Sequence, residues 1–176
     1  MTVTVLIDGP SGAGKTTAAL RLGRTLGWRV IHMDDVYPGW YGLADAATTA
    51  ARDILAVRAG AGYFRWDWER NCRAEWVDVN PRENLILEGV GALTAASASA
   101  ARRRGGLVTW ALWGPVELRK ARALERDPDY APWWDAWAVQ ERQHFAGWAR
   151  DGVVPIFQTV ISADGDFATR RAPVIL

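Results

Sequence analysis

Lysine is nearly missing from this chain of 176 residues. Of its 21 basic side chains 19 are arginine, and only Lys15 and Lys120 remain. Cysteine is scarcer still. Cys72 stands alone, which excludes a disulfide framework or a four-cysteine zinc site within one chain; it is expected as a buried or half-buried small hydrophobe. Excess charge is absent too. The 21 basic and 20 acidic residues leave a formal charge of +1, which argues against nucleic acid or an anionic membrane as the main partner. No apolar run approaches the roughly 20 residues of a membrane span, and the opening MTVTVLIDG lacks the basic and apolar regions of a secretory signal. The expected setting is cytoplasmic. The length suits one domain over 1–176. The oligomeric state, monomer or homodimer, is left open.

What is present is an alternation of strands and helices. Thr2–Ile7 has high β-propensity and stops at Asp8-Gly9-Pro10. Gly14–Leu26 carries Ala18, Leu22 and Leu26 at helical spacing before Gly27. The same reading gives strands at Arg29–Met33, Asn84–Leu87, Leu107–Trp113 and Val153–Val160. It gives helices at Leu43–Ala59, Thr94–Arg104 and about 115–126 and 133–150, with an irregular tail after Ser162. Alternation of this kind implies an α/β fold of three layers around a parallel sheet of about five strands. Ligands of such sheets gather outside the carboxyl ends of the strands. Asp8, Asp34, Asp35 and Glu88 fall there.

One motif is specific. Gly9-Pro10-Ser11-Gly12-Ala13-Gly14-Lys15-Thr16 fits G-x-x-x-x-G-K-[ST] at every fixed position, between a strand and a helix. A chain of this composition matches by chance about once or twice in a thousand. In such a loop the amides of Gly9, Ser11, Gly12, Ala13, Gly14, Lys15, Thr16 and Thr17 curl around phosphate, and the helix dipole adds positive potential. Lys15 is placed on the β- and γ-phosphates of ATP, and the Thr16 hydroxyl on Mg²⁺. A compact ammonium suits that position where the wide guanidinium fork does not, which explains one of the two surviving lysines.

The rest of the chain selects among P-loop activities. There is no N-K-x-D guanine motif and no L-S-G-G-Q signature, and a single carboxylate, Glu88, follows the third strand. A small-molecule or nucleotide kinase remains. Phosphoryl transfer needs a group that orients the attacking hydroxyl and takes its proton. Asp34, beside the P-loop strand, is the candidate, with Asp35 as a weaker twin that either approaches Mg²⁺ through water or is merely solvated. Glu88 ends an apolar strand and needs a partner: Mg²⁺-bound water, Lys15, a substrate hydroxyl, or the turn it caps. Arg119, Arg122 and Arg126 share one helix face; they either clamp the transferring phosphoryl group or form an ion-paired surface with Glu117 and Glu125.

Ile7–Thr17, Met33-Asp34-Asp35-Val36-Tyr37, Leu87-Glu88-Gly89-Val90, Arg122 and Arg126-Asp127 together resemble the uridine kinase branch of small P-loop kinases, over roughly residues 1–145. The resemblance implies a P-loop kinase fold with a helical lid at about 119–134. It implies Mg-ATP as phosphoryl donor and a nucleoside or nucleoside-like hydroxyl as acceptor. It makes Asp34 the base, Tyr37 part of the acceptor pocket, Arg122 and Arg126 lid arginines, and Asp67 a partner for a sugar hydroxyl. Residues 63–70, which alternate aromatic and charged side chains, read as an extended segment, and Asp67 falls equally well on the polar outer face of a half-buried strand there. The lid tip, Asp127–Pro132, is shorter and poorer in arginine than in typical uridine kinases. Trp40, Trp133 and Trp134 are further acceptor-site candidates, because planar groups stack on tryptophan. Trp133, Trp137, Glu141, His144 and Trp148 fall on one helical stripe that reads mostly as core, with His144 structural. Arg102–Arg104 reads as a solvated helix end. Three other readings stay open: a kinase of an antibiotic, sugar or other metabolite alcohol, a nucleoside-monophosphate kinase, and an ATP-responsive binding module without transfer activity.

Overall fold

Alternate side chains of the central strands divide between two apolar layers, and that division builds the fold. The computed structural model describes residues 2–162 and 164–171. In β1 (Thr2–Asp8), Val5 and Ile7 face one layer and Leu6 the other. In β6 (Gly105–Trp113), Val108, Trp110 and Leu112 face the first layer, while Leu107, Ala111 and Trp113 face the second. This period of two, on both faces of one sheet, is what a doubly covered parallel sheet requires. Helix α1 (Lys15–Leu26) closes the first face with Ala18, Ala19 and Leu22. On the second face lie α2 (Leu43–Thr49), α3 (Ala95–Arg104) and α5 (Trp134–Asp151), with buried Leu43, Ala98, Ala101, Trp137 and Trp148. The start of α3 is fixed by a reciprocal capping pair between Thr94 and Ser97.

The sheet has six strands, where the sequence suggested about five. Its order places β2 (Arg29–His32) at one edge, then β5 (Leu85–Glu88), β1, β6, β7 (Phe157–Ile161) and β8 (Phe167–Arg171). The first five are parallel and β8 runs antiparallel to β7. The carboxyl ends of β1, β2 and β5 therefore lie side by side, with Ile7 level with Glu88 and Glu88 level with His32.

Five expectations need correction or extension. The tail after Ser162 is not irregular as far as Arg171, since β8 occupies it; residues 172–176 lie outside the described residues. The helix read at Leu43–Ala59 ends sooner. It passes into a π turn over Ala50–Ile54, and residues 57–60 are exposed, so a longer helix would have no face to bury. The extended segment at 63–70 is half of a hairpin, β3 (Gly62–Asp67) and β4 (Cys72–Asp78), with a register shift between Phe64 and Trp66. Cys72 lies on β4 and is exposed, not buried. Arg104 is not solvated either: it is 8% exposed and donates to the carbonyls of Asn80 and Glu83. Helix α4 (Val116–Arg126) is followed by a 3-10 segment, Pro128–Trp133, where the lid was expected. Among the described residues no helix is long and apolar enough to cross a membrane.

Candidate active site

Outside the carboxyl ends of β1, β2 and β5 lies a cleft of about 790 Å³, within the usual size of a small-molecule site. Its floor is the P-loop, which leaves β1 at Asp8. That carboxylate is fully buried and accepts from the amides of Gly9, Gly91 and Leu93 at 2.6, 3.2 and 2.8 Å, and His144 Nε2 lies 2.9 Å away. Asp8 thus ties the start of the P-loop to the loop after β5, and His144 is structural. Inside the loop, Lys15 is buried and its ammonium donates to the Pro10 carbonyl at 3.0 Å. Gly12 takes φ +77° and packs on α4, where a Cβ would stand 2.1 Å from the Arg119 carbonyl oxygen. Only glycine combines that dihedral with that approach.

Glu88 meets the P-loop from β5. The Thr16 hydroxyl donates to its Oε1 at 3.0 Å, and His32 Nδ1 lies 2.5 Å from the same oxygen. The hydrogen bond to Glu88 raises the His32 pKa against the opposing effect of burial, with the Glu88 charge and those of Asp35 and Asp34 adding to the rise. Asp34 follows β2 in a 3-10 turn, Met33–Asp35, and its side chain opens to the cleft. Although solvent reaches the residue, the protein packed around the carboxylate displaces much of the bulk water and raises its pKa. Glu88 raises it further, while Lys15, Arg126 and His32 oppose the shift. Asp35 also lines the cleft, with its carboxylate 3.9 Å from Arg65 on β3.

The opposite wall is aromatic. Trp40 lies nearly parallel to Tyr130 and to Trp133, at centroid distances of 5.3 and 5.4 Å, and meets Trp68 at 4.8 Å. Tyr37 is buried against Trp137, and its hydroxyl donates to the Val90 carbonyl; burial holds that phenol well above its ordinary pKa. Trp68 Nε1 donates to the Asp34 carbonyl at 2.9 Å, so the hairpin is seated on the turn that presents Asp34.

Most of the residues singled out from sequence come together. Ser11, Gly12, Lys15, Thr16, Asp34, Asp35, Tyr37, Trp40, Glu88, Arg126 and Trp133 line this one cleft. Gly14, Thr17 and Arg122 line instead a neighbouring cavity of about 710 Å³ behind the loop, with Trp110 and Phe167. Gly12 and Arg126 border both. Gly9 and Ala13 are buried in the turn of the loop, and the amides of Gly9, Ser11 and Ala13, expected to face phosphate, donate instead to Asp8 Oδ1, Glu141 Oε1 and the Pro10 carbonyl. Three placements differ from expectation. Asp67 does not line the cleft; its carboxylate caps the hairpin turn by accepting from the Arg70 amide, and Trp68 and Glu69 take the place on the wall. Trp134 is buried and does not line it either; its ring lies 5.8 Å from the Lys120 ammonium, which gives the second lysine a partner. Arg119 does not line the cleft; its guanidinium donates to the carbonyls of Gly114 and Ser11. Sequence reasoning passed over His32, Tyr130 and Glu69. Of these only His32 carried a signal, as one of two histidines and the last residue of the strand before Asp34.

Among the described residues no group of three or more His, Cys, Asp or Glu is arranged to hold a metal ion alone. Mg²⁺ at phosphates uses one or two protein oxygens with water and the phosphates themselves. Thr16 Oγ1 and Glu88 Oε1, two hard oxygens 3.0 Å apart beside the P-loop, fit that demand.

The fold is therefore an α/β layered structure with a mostly parallel sheet and the G-x-x-x-x-G-K-[ST] loop at the end of its first strand. No family model and no curated protein matches the chain. Among solved structures it is similar to a sugar kinase from Janibacter sp. HTCC2649, at 18% identity and TM-score 0.49, covering 94% of this chain and 88% of that one. It is similar also to a gluconokinase from Sinorhizobium meliloti 1021, at 15% identity and TM-score 0.46, with 93% and 83% covered. A third is a shikimate kinase from Acinetobacter baumannii in complex with shikimate, at 23% identity and TM-score 0.45, with 73% and 64% covered. Likenesses of this size carry no argument about activity, which rests on the site itself.

Proposed function

We propose that the protein is a Mg²⁺-dependent kinase of the uridine kinase-like kind, which transfers the γ-phosphoryl group of ATP to a hydroxyl of a nucleoside or nucleoside-like small molecule. The observation that carries this reading is the sharing of one cleft by Asp34, the P-loop residues Lys15 and Thr16, Arg126, and the aromatic wall around Trp40. A P-loop alone binds phosphate. A carboxylate facing the same space supplies what alcohol phosphorylation further needs.

The steps follow from that placement. The triphosphate lies along the amides of Gly12, Gly14, Lys15, Thr16 and Thr17, its base and sugar in the cavity bordered by Thr17, Arg122 and Trp110, so that the γ-phosphate points into the cleft near Lys15 and Arg126. Thr16 and Glu88 are the residues that would hold Mg²⁺, which would supply charge neutralisation at the phosphates. The acceptor stacks on the wall of Trp40 and Trp133 with its hydroxyl donating to Asp34. As that oxygen bonds to the γ-phosphorus, the bond to the β-phosphate oxygen breaks, ADP leaves, and the hydroxyl proton passes to the Asp34 carboxylate. Lys15 and Arg126 stabilise the charge that spreads over the transferring group.

The charge of the cleft also limits the acceptor. Asp34, Asp35, Glu69, Glu88, Asp127 and Asp129 line it, against Lys15, Arg126 and His32. The two permanent cations are those the triphosphate itself needs. An acceptor that already carries a phosphate would meet carboxylates, which disfavours the nucleoside-monophosphate reading. The test is ADP release from Mg-ATP over a panel of nucleosides, nucleoside monophosphates, sugars and hydroxylated antibiotics. Release with nucleosides and none with the monophosphates supports the proposal. Release only with sugars or antibiotics moves the acceptor class, and release with none of them favours a binding module.

A further inference from the structure

Ser11 is held from three elements at once. Its amide donates to Glu141 Oε1 on α5 at 2.7 Å, its carbonyl accepts from Arg119 Nη1 on α4 at 2.9 Å, and its hydroxyl accepts from the Tyr130 hydroxyl at 3.1 Å. Arg119 also donates to the Gly114 carbonyl at 2.9 Å, and its Nη1 lies 4.0 Å from Glu141 Oε2. Glu141 is 5% and Arg119 8% exposed. Two buried ionic groups on different helices thus converge on the backbone of one P-loop residue. A buried carboxylate in an otherwise aromatic helical stripe is costly unless fully engaged, and Glu141 spends its engagement on the loop. Gly12, the next residue, rests on the Arg119 backbone.

We propose that Glu141 and Arg119 are positioning residues that set the curl of the P-loop for the triphosphate, so that the amides beyond Ser11 are aimed before nucleotide arrives. This rests on the reading of the loop as a nucleotide site. Neither side chain lines either cavity, so both act through Ser11 and not by touching ligand. The pair also explains why Arg119 differs from Arg122 and Arg126 on the same helix face: it is the anchor of the loop, and they border the space where ligand lies.

The test is calorimetric binding of Mg-ADP to wild type, Glu141→Gln, Glu141→Ala and Arg119→Lys, each shown to be folded by its circular dichroism melt. Glutamine keeps an oxygen that accepts from the Ser11 amide, and alanine leaves that amide unpaired. Glu141→Ala is expected to raise Kd about tenfold or more, while Glu141→Gln stays within about threefold of wild type. Arg119→Lys keeps the charge but cannot reach two carbonyls together, and is expected to raise Kd about fivefold. It decides the matter should Glu141→Ala not fold. A folded Glu141→Ala that binds like wild type, equal losses in Ala and Gln, or an Arg119→Lys with unchanged Kd overturns the proposal. Absence of Mg-ADP binding in the wild type itself overturns the nucleotide reading beneath it, a result distinct from the others.

Discussion

Gly12→Ala perturbs the site where the loop packs directly on the backbone of α4. The residue has φ +77°, and a left-handed conformation costs an ordinary L-residue about 1–2 kcal/mol. The new methyl would also stand 2.1 Å from the carbonyl oxygen, 2.7 Å from the carbonyl carbon and 2.8 Å from the Cα of Arg119. All three are backbone atoms, so no rotamer change relieves the overlap; the loop or the first turns of α4 must move by about 1 Å. A displacement of that size in a reacting constellation costs about 100-fold in rate. Gly27→Ala is the control. Gly27 caps α1 at φ +66° with nothing within 4 Å of its would-be Cβ, so it shares the dihedral penalty without the clash. Melting temperature and Mg-ADP affinity are measured for both. Gly27→Ala should lose about 1–2 kcal/mol of stability and Gly12→Ala more than that, and only Gly12→Ala should lose nucleotide affinity and turnover. Unaltered Mg-ADP binding in Gly12→Ala, or equal losses in Gly27→Ala, refutes the packing argument.

Two further outcomes follow from the charges in the cleft. The folded pKa of Asp34 is raised above 3.8, so its charged form is disfavoured by folding. Its contribution to stability is fully present below 3.8 and is lost as pH rises through the raised value. Asp34→Asn is therefore expected to melt higher than wild type at pH 7 while losing turnover and retaining Mg-ADP binding, and the acid limb of the wild-type rate should lie above 3.8. A lower melting temperature contradicts the sign. His32 has a folded pKa raised above 6.5 through Glu88, so its stabilisation is complete below 6.5 and disappears as pH rises through the folded value. The melting-temperature gap between wild type and His32→Asn should narrow from pH 6 to pH 9, and a gap that widens rejects the pairing.

How much of this was legible before folding depends on burial. Strands β1, β5 and β6 carry continuous apolar runs because both their faces are covered, and a run such as Leu85-Ile86-Leu87 marks itself. Strands β4 and β8 lie at edges; every residue of β8 is exposed and five of seven in β4 are. With no buried face they leave no periodicity to read, and so the hairpin partner and the sixth strand were missed. The P-loop was legible because its chemistry fixes residue types at fixed spacing. Asp34 and Glu88 were legible because carboxylates at the ends of apolar strands need a reason. Asp67 misled because the hairpin turn places its neighbours Trp68 and Glu69, not Asp67, on the cleft wall. The grip on Ser11 spans sequence separations of 108 to 130 residues, which no local pattern encodes, although a lone glutamate in an aromatic stripe was its trace.

The central claim is that Asp34 and the P-loop act on one acceptor in one cleft. Its most direct test is the mass of the acceptor after incubation with Mg-ATP, with wild type and Asp34→Asn run side by side at equal Mg-ADP affinity. A nucleoside that gains one phosphoryl group with the wild type and none with Asp34→Asn is the expected result. A phosphorylated product formed equally well by Asp34→Asn, or ATP consumed with no acceptor gaining mass, contradicts the account.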